Sequence, residues 1–232
     1  MTITAKSIGQ GRATLASEVR SEIERMILQG DLAAGEKLNE LTLSNAMGVS
    51  RGTVREAIRS LADSGLINLI TNRGAFVHEI TRGEVRNLYD LRKAIFAMAC
   101  ASAARRVSDG SEKNLIRNLA GKMDRMHKAH RENDKKKYYA LNIEFHDLLM
   151  EAAGNPKAKV IYDNLVREMH LFRQRGLSIA TNIARSLDEH QAITAAVTKG
   201  NPEAAHRAAE THLDSGLGRY MQILEQDADD AT

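Results

Sequence analysis

Several residue types that define particular protein classes are scarce in this chain. Its 232 residues include one cysteine, two prolines and no tryptophan, and only 4% of them are aromatic. A single cysteine excludes an internal disulfide framework and is typical of a reducing compartment. Cys100 lies in an alanine-rich stretch with helical spacing, where we expect a small core residue and not a nucleophile.

Long apolar runs are also absent. No stretch approaches the roughly 20 consecutive apolar residues that a membrane-spanning helix requires. The first residues, MTITAKSIGQGRAT, lack the hydrophobic region of a signal peptide. We therefore expect a cytoplasmic protein with no membrane partner.

Composition and charge are those of an ordinary globular protein. The chain is 43% hydrophobic and 27% charged, and its length allows two domains. A net charge of +3 is too small to identify a partner, and the first 80 residues contain about as many acidic as basic side chains. Any binding to nucleic acid must therefore depend on a few well-placed basic residues.

The segment from Asn39 to Val77 has the pattern of a helix-turn-helix. Apolar residues recur at helical spacing up to Gly48, which can adopt the left-handed conformation of a tight turn. Ser50 can then cap a second helix. The buried stripe of that helix consists of Val54, Ala57, Ile58 and Leu61. The pattern predicts a recognition helix, the helix that enters the major groove of DNA.

The outward face of this second helix carries groups that can contact bases and phosphates. These residues are Arg51, Thr53, Arg55 and Arg59. After Gly65, residues 66–70 and 75–80 are predicted to form a β-hairpin, with Arg73 and Gly74 in its turn. A basic hairpin tip can reach a phosphate or the minor groove. The segment is therefore interpreted as a winged helix-turn-helix that binds double-stranded DNA.

A less specific interpretation exists for each of these features alone. Helix-turn-helix patterns also occur in interaction domains, and exposed arginines are commonly only solvated. The order of helix, turn, helix and hairpin, with basic residues on the expected elements, favours DNA binding.

Short motifs through this segment carry a family resemblance. They are Gly35-Glu36-Lys37-Leu38-Asn39-Glu40, Gly48-Val49-Ser50-Arg51, Val54-Arg55-Glu56-Ala57-Ile58, Gly65-Leu66 and Asn72-Arg73-Gly74. From about residue 15 to residue 80 the chain resembles the DNA-binding domain of the GntR family of bacterial transcription regulators. The resemblance implies base or phosphate contacts from Arg51, Thr53 and Arg55, and a minor-groove approach of the wing at Arg73 and Gly74.

The chain departs from the family pattern at two places. Ala34 stands where the family usually has proline, and we expect this change to be harmless. Gly52 and Thr53 stand where many members have Thr-Pro or Thr-Thr. Because Gly52 brings no side chain to the groove, we expect an altered base preference.

Beyond residue 80 the pattern becomes entirely helical. Leucine, alanine, methionine and isoleucine recur at spacings of three and four, which predicts a bundle of six or seven helices. Breaks are expected near 108–111, 133–134, 154–156, 176–186 and 200–202, and Ser186-Leu187-Asp188-Glu189 has the pattern of a capping box. The fold class is therefore mainly α. The predicted organisation is a tail (1–14), a winged helix-turn-helix (15–80), a linker (81–86), a helical domain (87–225) and a second tail (226–232).

The candidate functional groups of the helical domain are histidine side chains. Asn142 and His146 are one helical turn apart and share a face. His190 lies ten residues before Gly200 and His212 lies eleven after Asn201, so both stand at one height in an antiparallel hairpin. With His146 they can supply the nitrogen ligands of a metal site, and Asn142 or water an oxygen. The other five are expected to be surface or core residues: His78, His127, His130, His170 and His206.

A second resemblance concerns this domain. Asn142-Ile143-Glu144-Phe145-His146, Glu189-His190 and His212 resemble the FCD effector-binding domain of the FadR branch of the same family. The resemblance implies a divalent metal (zinc, nickel or manganese) bound by Asn142, His146, His190 and His212, with a small carboxylate effector completing the coordination. Asn142 replaces the usual aspartate. A neutral amide is a weaker ligand than a carboxylate, so we expect a lower metal affinity or a different metal preference.

Arg92 falls where the family's first effector-domain helix offers an arginine to the effector. A guanidinium holds a carboxylate through two parallel hydrogen bonds. The predicted effector-binding residues are therefore Arg92 with Asn142, His146, His190 and His212. Phe96 stands where many members have glutamate, which favours a ligand with some hydrocarbon character.

Together these features predict a transcription regulator whose affinity for DNA is controlled by a small organic acid. The family resemblance implies that the regulator is a repressor. It is expected to bind a near-palindromic operator as a homodimer. Two alternatives stay open: a helical domain that only dimerises, without metal or effector, and, more remotely, a metal-dependent hydrolase. Glu144 and Glu189 precede candidate ligands by one or two positions and so point off the ligand face, which disfavours the hydrolase.

Overall fold

The computed structural model describes residues 14–169 and 180–229. They divide into two compact units between Glu79 and Ile80. The first unit contains α1 (Leu15–Gln29), α2 (Glu40–Met47), α3 (Arg51–Asp63), β1 (Ile67–Ile70) and β2 (Gly74–Val77). Three helices followed by an antiparallel hairpin confirm the winged helix-turn-helix.

Local sequence signals explain the α2–α3 corner. The side chain of Asn39 caps α2 by accepting hydrogen bonds from the backbone of Leu41 and Thr42. Gly48 ends α2 with a φ of 65°, a conformation that costs glycine little. Ser50 then caps α3 by accepting a 3.1 Å hydrogen bond from Thr53 N.

The hairpin is shorter than the sequence suggests. Its register pairs Ile67 with Val77 and Ile70 with Gly74. Residues 66 and 78–80, expected to be strand, lie outside it, and Gly74, expected in the turn, is the first residue of β2. Gly74 has a φ of 106°, and a Cβ there would lie 3.4 Å from Lys37 Cε. Lys37 itself forms an isolated bridge to Phe76, which ties the segment before α2 to the wing.

The second unit contains only helices among the described residues. They are α4 (Arg82–Ser108), α5 (Leu115–Arg131), α6 (Lys135–Ala152), α7 (Pro156–Glu168), α8 (Ala180–Thr198) and α9 (Pro202–Asp229). Six helices agree with the predicted bundle. No helix in the described ranges is long and apolar enough to cross a membrane.

Some expected boundaries differ. Residues 82–86, expected to be a linker, form the first turn of α4, and the capping box is Thr81 with Glu84. The capping box expected at 186–189 is wrong, because Ser186 is a buried residue inside α8. Residues 226–229 of the expected tail continue α9. The break expected at 176–186 is wrong for residues 180–186, which belong to α8. Residues 176–179 of that break, His170 and the first 13 residues lie outside the described ranges.

Small residues bring the helices close together. Ala99, Cys100 and Ala103 of α4 have no exposed surface. Burial raises the pKa of the Cys100 thiol well above its usual range, so this cysteine is an unreactive core residue, as predicted. The same bundle buries polar side chains of α4, α6, α8 and α9, among them three histidines. Those side chains form the site described next.

Candidate functional site

The exposed face of α3 carries three arginines. Arg51 and Arg55 have 60% and 50% of their side-chain surface exposed, and Arg59 is also exposed. Thr53 is half-buried, and its hydroxyl lies 2.8 Å from that of Ser50. The structure thus places the three predicted guanidinium groups on one surface, while the threonine hydroxyl participates in the helix cap.

Glu40 joins this surface to α2 and was not predicted. Its carboxylate accepts hydrogen bonds from Arg55 Nε at 3.1 Å and Arg55 Nη2 at 2.7 Å. Arg51 Nη2 lies 3.7 Å from the same carboxylate. The hydrogen bonds from Arg55 and the charges of both arginines lower the pKa of Glu40, which is therefore ionised.

A cleft of about 550 Å³ separates the wing from this arginine surface. Its lining residues are Lys37, Leu38, Asn39, Glu40, Leu41, Arg51, Asn72, Arg73, Gly74 and Ala75. Arg73 and Lys37 lie over the Phe76 ring, at 5.7 Å and 5.9 Å from its centroid. Lys37 adds a cation that the sequence analysis did not single out. Its position three residues before the start of α2 carries no periodic signal.

The second candidate site is a buried cluster of three histidines. His146, His190 and His212 come from α6, α8 and α9 and are each at most 6% exposed. Nε2 of His146 lies 3.1 Å from Nε2 of His212 and 3.4 Å from Nε2 of His190. The convergence expected from counting residues across the α8–α9 hairpin is confirmed.

The outer nitrogen of each ring faces an oxygen atom. His146 Nδ1 lies 2.9 Å from the Tyr162 hydroxyl, and His190 Nδ1 lies 3.5 Å from Ser186 Oγ. His212 Nδ1 lies 2.8 Å from Glu189 Oε2. When each Nδ1–H donates to its oxygen, all three Nε2 lone pairs point at one another. Hydrogen bonds of this kind fix the tautomer that binds a metal.

Electrostatics support this tautomer at His212. Burial lowers the pKa of His212 to about 4, although the Glu189 carboxylate opposes this effect. Burial would raise the pKa of Glu189, but hydrogen bonds from His212 and Arg219 outweigh it and lower the pKa to about 2. Arg219 donates to both Glu189 oxygens, at 2.7 Å and 2.9 Å. At neutral pH the histidine is therefore neutral and the carboxylate ionised.

Arg92 lies beside the histidines and is only 3% exposed. Its Nε donates to the Tyr162 hydroxyl at 3.1 Å, and its Nη2 lies 3.4 Å from His146 Nδ1. Within residues 14–169 and 180–229, no aspartate or glutamate forms an ion pair with Arg92. A buried guanidinium without an anion is costly, which favours an anionic ligand at this position.

Phe96 and Asn142 complete the surroundings. The Phe96 ring stacks on His146 with centroids 4.3 Å apart and is fully buried. The predicted apolar wall therefore lies directly against a candidate ligand. Asn142 is 2% exposed, and its Oδ1 has no hydrogen-bond partner among the described residues. An orphaned buried oxygen one turn before His146 fits a group that binds a cation.

Two of the three nitrogen pairs have the spacing of metal ligands, and one ring nitrogen of each histidine lies within 4.8 Å of the others. Nitrogens about 2.1 Å from one ion lie about 3.0 Å apart at a right angle and about 3.4 Å apart in a tetrahedron. The observed 3.1 Å and 3.4 Å fall within this range. When each ring carries its proton on Nδ1, the Nε2 lone pairs repel one another at these distances, so a cation between them is favourable. The residues present fit a divalent metal.

Sequence reasoning missed the groups that orient the site. Tyr162, Ser186 and Arg219 were not singled out, and Glu189 was considered only as a poor general base. Glu189 contacts His212 from the outer side, and Glu144 is half-exposed and paired with Lys122. Neither glutamate occupies the position of a base facing the Nε2 atoms. Arg219 could have been found from its spacing, seven residues after His212 on one face of α9.

Two known protein families match this chain, one in each of the two units. The family described as "Bacterial regulatory proteins, gntR family" matches residues 15–77, and the FCD domain matches residues 87–215. The chain belongs to the GntR family of regulators and has an FCD domain. GntR regulators bind DNA, and the relatives of this chain are named as transcriptional regulators, so it is a regulator and not an enzyme.

Two curated relatives cover nearly the whole length. The HTH-type transcriptional regulator YdhC of Bacillus subtilis is 26% identical over 89% of this chain and 91% of its own. The HTH-type transcriptional repressor RspR of Escherichia coli is 28% identical over 89% of each chain. Among solved structures, E. coli McbR/YncC superimposes with a TM-score of 0.74 at 15% identity, covering 92% of this chain and all of that one. This last likeness supports the fold alone.

Proposed function

We propose that this GntR-family regulator is a repressor whose operator affinity is controlled by a small organic acid bound, with a divalent metal, in the FCD domain. The observation that carries this proposal is the buried Arg92, which has no anionic partner among the described residues and lies beside three converging histidine nitrogens. An arginine next to a metal is a suitable pair of groups for a carboxylate.

DNA binding involves the basic face of α3 and the wing. Arg51, Arg55 and Arg59 are exposed and supply donors for guanine edges and phosphates, with Thr53 at the first turn of the helix. Arg73 and Gly74 at the wing approach the minor groove. One such unit reads a short half-site, so a two-fold homodimer on a near-palindromic operator follows. This regulator acts in the cytoplasm, where bacterial DNA lies.

The metal ligands are His146, His190 and His212, with Asn142 as the oxygen donor. Three imidazoles and an amide oxygen suit zinc, nickel or manganese. The metal, when bound, supplies a positive charge that holds the carboxylate of the acid. The histidine rings are oriented by contacts of their Nδ1 atoms with Glu189, Ser186 and Tyr162. The Phe96 ring forms an apolar surface beside His146.

Tyr162 links the effector residue to the metal site. Its hydroxyl oxygen accepts from Arg92 Nε and lies within hydrogen-bond distance of His146 Nδ1. An acid that draws the Arg92 guanidinium toward itself changes the hydrogen bonds of the Tyr162 hydroxyl. Because Tyr162 belongs to α7, this change acts on that helix. Such an acid regulates DNA binding only if it binds one conformation of the protein more tightly than the other.

The competing function is a helical domain that only dimerises. It leaves the buried charge of Arg92 without an anion among the described residues, which makes it the less favourable interpretation.

Elemental analysis and thermal stability separate these two functions. The protein is purified without added metal, and its melting temperature is measured with sugar acids, dicarboxylates, amino acids and aromatic acids, each with and without chelator. The proposal predicts near-stoichiometric metal and at least one acid whose stabilisation disappears with chelator. Absence of both metal and any stabilising acid would favour the dimerisation module.

A further inference from the structure

Glu40 occupies an unusual position for an acidic residue, since it lies on the face that meets a polyanion. It is the first residue of α2, and it contacts Arg55, 15 residues later on α3, through both Nε and Nη2. It also lies 3.7 Å from Arg51 and lines the cleft between that arginine and the wing. One carboxylate therefore touches two of the three exposed arginines of α3.

The geometry restricts how Arg55 can meet DNA. With Nε and Nη2 donating to Glu40, the remaining edge around Nη1 is directed away from the carboxylate. A guanidinium fixed in this way has lost most of its rotamer freedom before DNA arrives, so a contact in one orientation costs less entropy. Contacts to a guanine edge depend on orientation, whereas attraction to phosphates depends mainly on charge.

The same carboxylate lowers the charge of the surface. Glu40 is ionised beside Arg51 and Arg55, so it offsets one of their positive charges. Sequence-independent binding rises with the number of cations that neutralise phosphates. A glutamate at this position therefore weakens the electrostatic attraction to any DNA duplex, while it fixes the orientation of the Arg55 guanidinium.

We propose that Glu40 is a positioning residue that determines DNA sequence specificity by holding Arg55, and more loosely Arg51, in one orientation at the major groove. This inference rests on the proposed DNA contacts of α3. Glu40 lowers the affinity for DNA of any sequence and raises the ratio of the affinity for the operator to the affinity for other DNA.

Local structure allows the carboxylate to be removed without dismantling α2. The cap of that helix is Asn39, which accepts from Leu41 N and Thr42 N. Glutamine at position 40 keeps the length of the side chain and loses only the favourable interaction of its charge with the N-terminus of the helix. The variant E40Q is therefore expected to fold, which circular dichroism and melting temperature can verify.

The test begins with selection of duplexes from a random-sequence library by the wild-type protein. The selected duplex and a scrambled one are then titrated by fluorescence anisotropy at several salt concentrations. We expect E40Q to lower the ratio of selected to scrambled affinity by about tenfold, the lower range for one bidentate base contact. Binding to scrambled DNA should tighten at low salt, with a salt dependence steeper by about one counterion.

Two controls isolate the role of Arg55. Glu18 is an exposed glutamate of α1, so E18Q removes the same charge from the same unit and is expected to leave the ratio unchanged. In an R55A background, E40Q should change the ratio by less than about twofold, because the residue that it orients is gone. If E40Q does not fold, E40D replaces it, since the shorter carboxylate cannot keep both bonds to Arg55.

The outcomes separate this inference from the function on which it rests. Equal discrimination by folded E40Q and wild type, or an equal effect of E40Q with and without Arg55, would overturn the role of Glu40 alone. A wild-type protein that selects no sequence at all would overturn the proposed DNA contacts and this inference with them.

Discussion

Arg92 Nη2 lies 3.4 Å from His146 Nδ1, and the two side chains share the hydroxyl of Tyr162 between them. The arginine belongs to the first helix of the FCD domain and the histidine to the third. A ligand that reaches one of these groups is therefore adjacent to the other. We propose that this proximity couples acid binding to the metal site.

Loss of one histidine should release the metal. We expect H212Q to reduce the metal content of the purified protein to a small fraction of the wild-type value, because two imidazoles and an amide hold a divalent ion weakly. The control is H206Q on the same helix, where His206 is a half-buried residue beside Glu210. Elemental analysis measures both. Equal metal content in the two variants would contradict the assignment of His212.

A carboxylate at position 142 should strengthen the site. We expect N142D to bind the metal at least about tenfold more tightly, since an ionised oxygen is a better ligand for a hard or borderline cation. Without metal, the variant carries a buried charge, so its melting temperature should fall more on addition of chelator than that of the wild type. Competition with a fluorescent chelator measures the affinity. Unchanged affinity would show that residue 142 does not reach the metal.

Removal of the buried guanidinium should separate acid binding from metal binding. We expect R92Q to weaken the stabilising acid by roughly tenfold to a hundredfold, the value of a hydrogen-bonded charge pair, while the metal content stays the same. R86Q is the matched control, because Arg86 is exposed on the same helix. Isothermal titration with the acid gives both affinities. An R92Q protein that binds the acid normally would remove Arg92 from the effector site.

Glu189 should affect the metal although it is not a ligand. We expect E189Q to lower metal affinity by about tenfold to a hundredfold, because the neutral amide no longer stabilises the Nδ1–H tautomer of His212. The neighbouring D188N variant, at an exposed position of α8, should retain the wild-type affinity. A chelator titration compares the two. If both variants behave alike, orientation of His212 by Glu189 is not important for the metal.

Local patterns predicted the elements of the fold well. The helix-turn-helix depends on contacts within a few residues, such as the caps at Asn39 and Ser50 and the turn at Gly48, and these were visible in the sequence. Where local and tertiary signals conflicted, the tertiary signal prevailed. Ser186 and Glu189 resemble a cap, yet burial of the helix and bonds to His190 and His212 keep them inside α8.

The candidate site was predictable only in part. His190 and His212 flank one tight turn, so their proximity could be predicted by counting residues along the two helices. Tyr162 contacts Arg92, which lies 70 positions earlier, and Glu40 contacts Arg55, which lies 15 positions later. Sequence periodicity does not specify how the helices that carry these residues pack together. Their roles depend on tertiary contacts, and only the structure reveals such contacts.

The most direct test of the central claim is the affinity of the protein for its selected duplex, measured by fluorescence anisotropy as the stabilising acid is added. We expect a change of at least about fivefold, the lower range of allosteric coupling, that chelator and R92Q both abolish while R86Q does not. An operator affinity that stays constant while the acid is bound would contradict that claim.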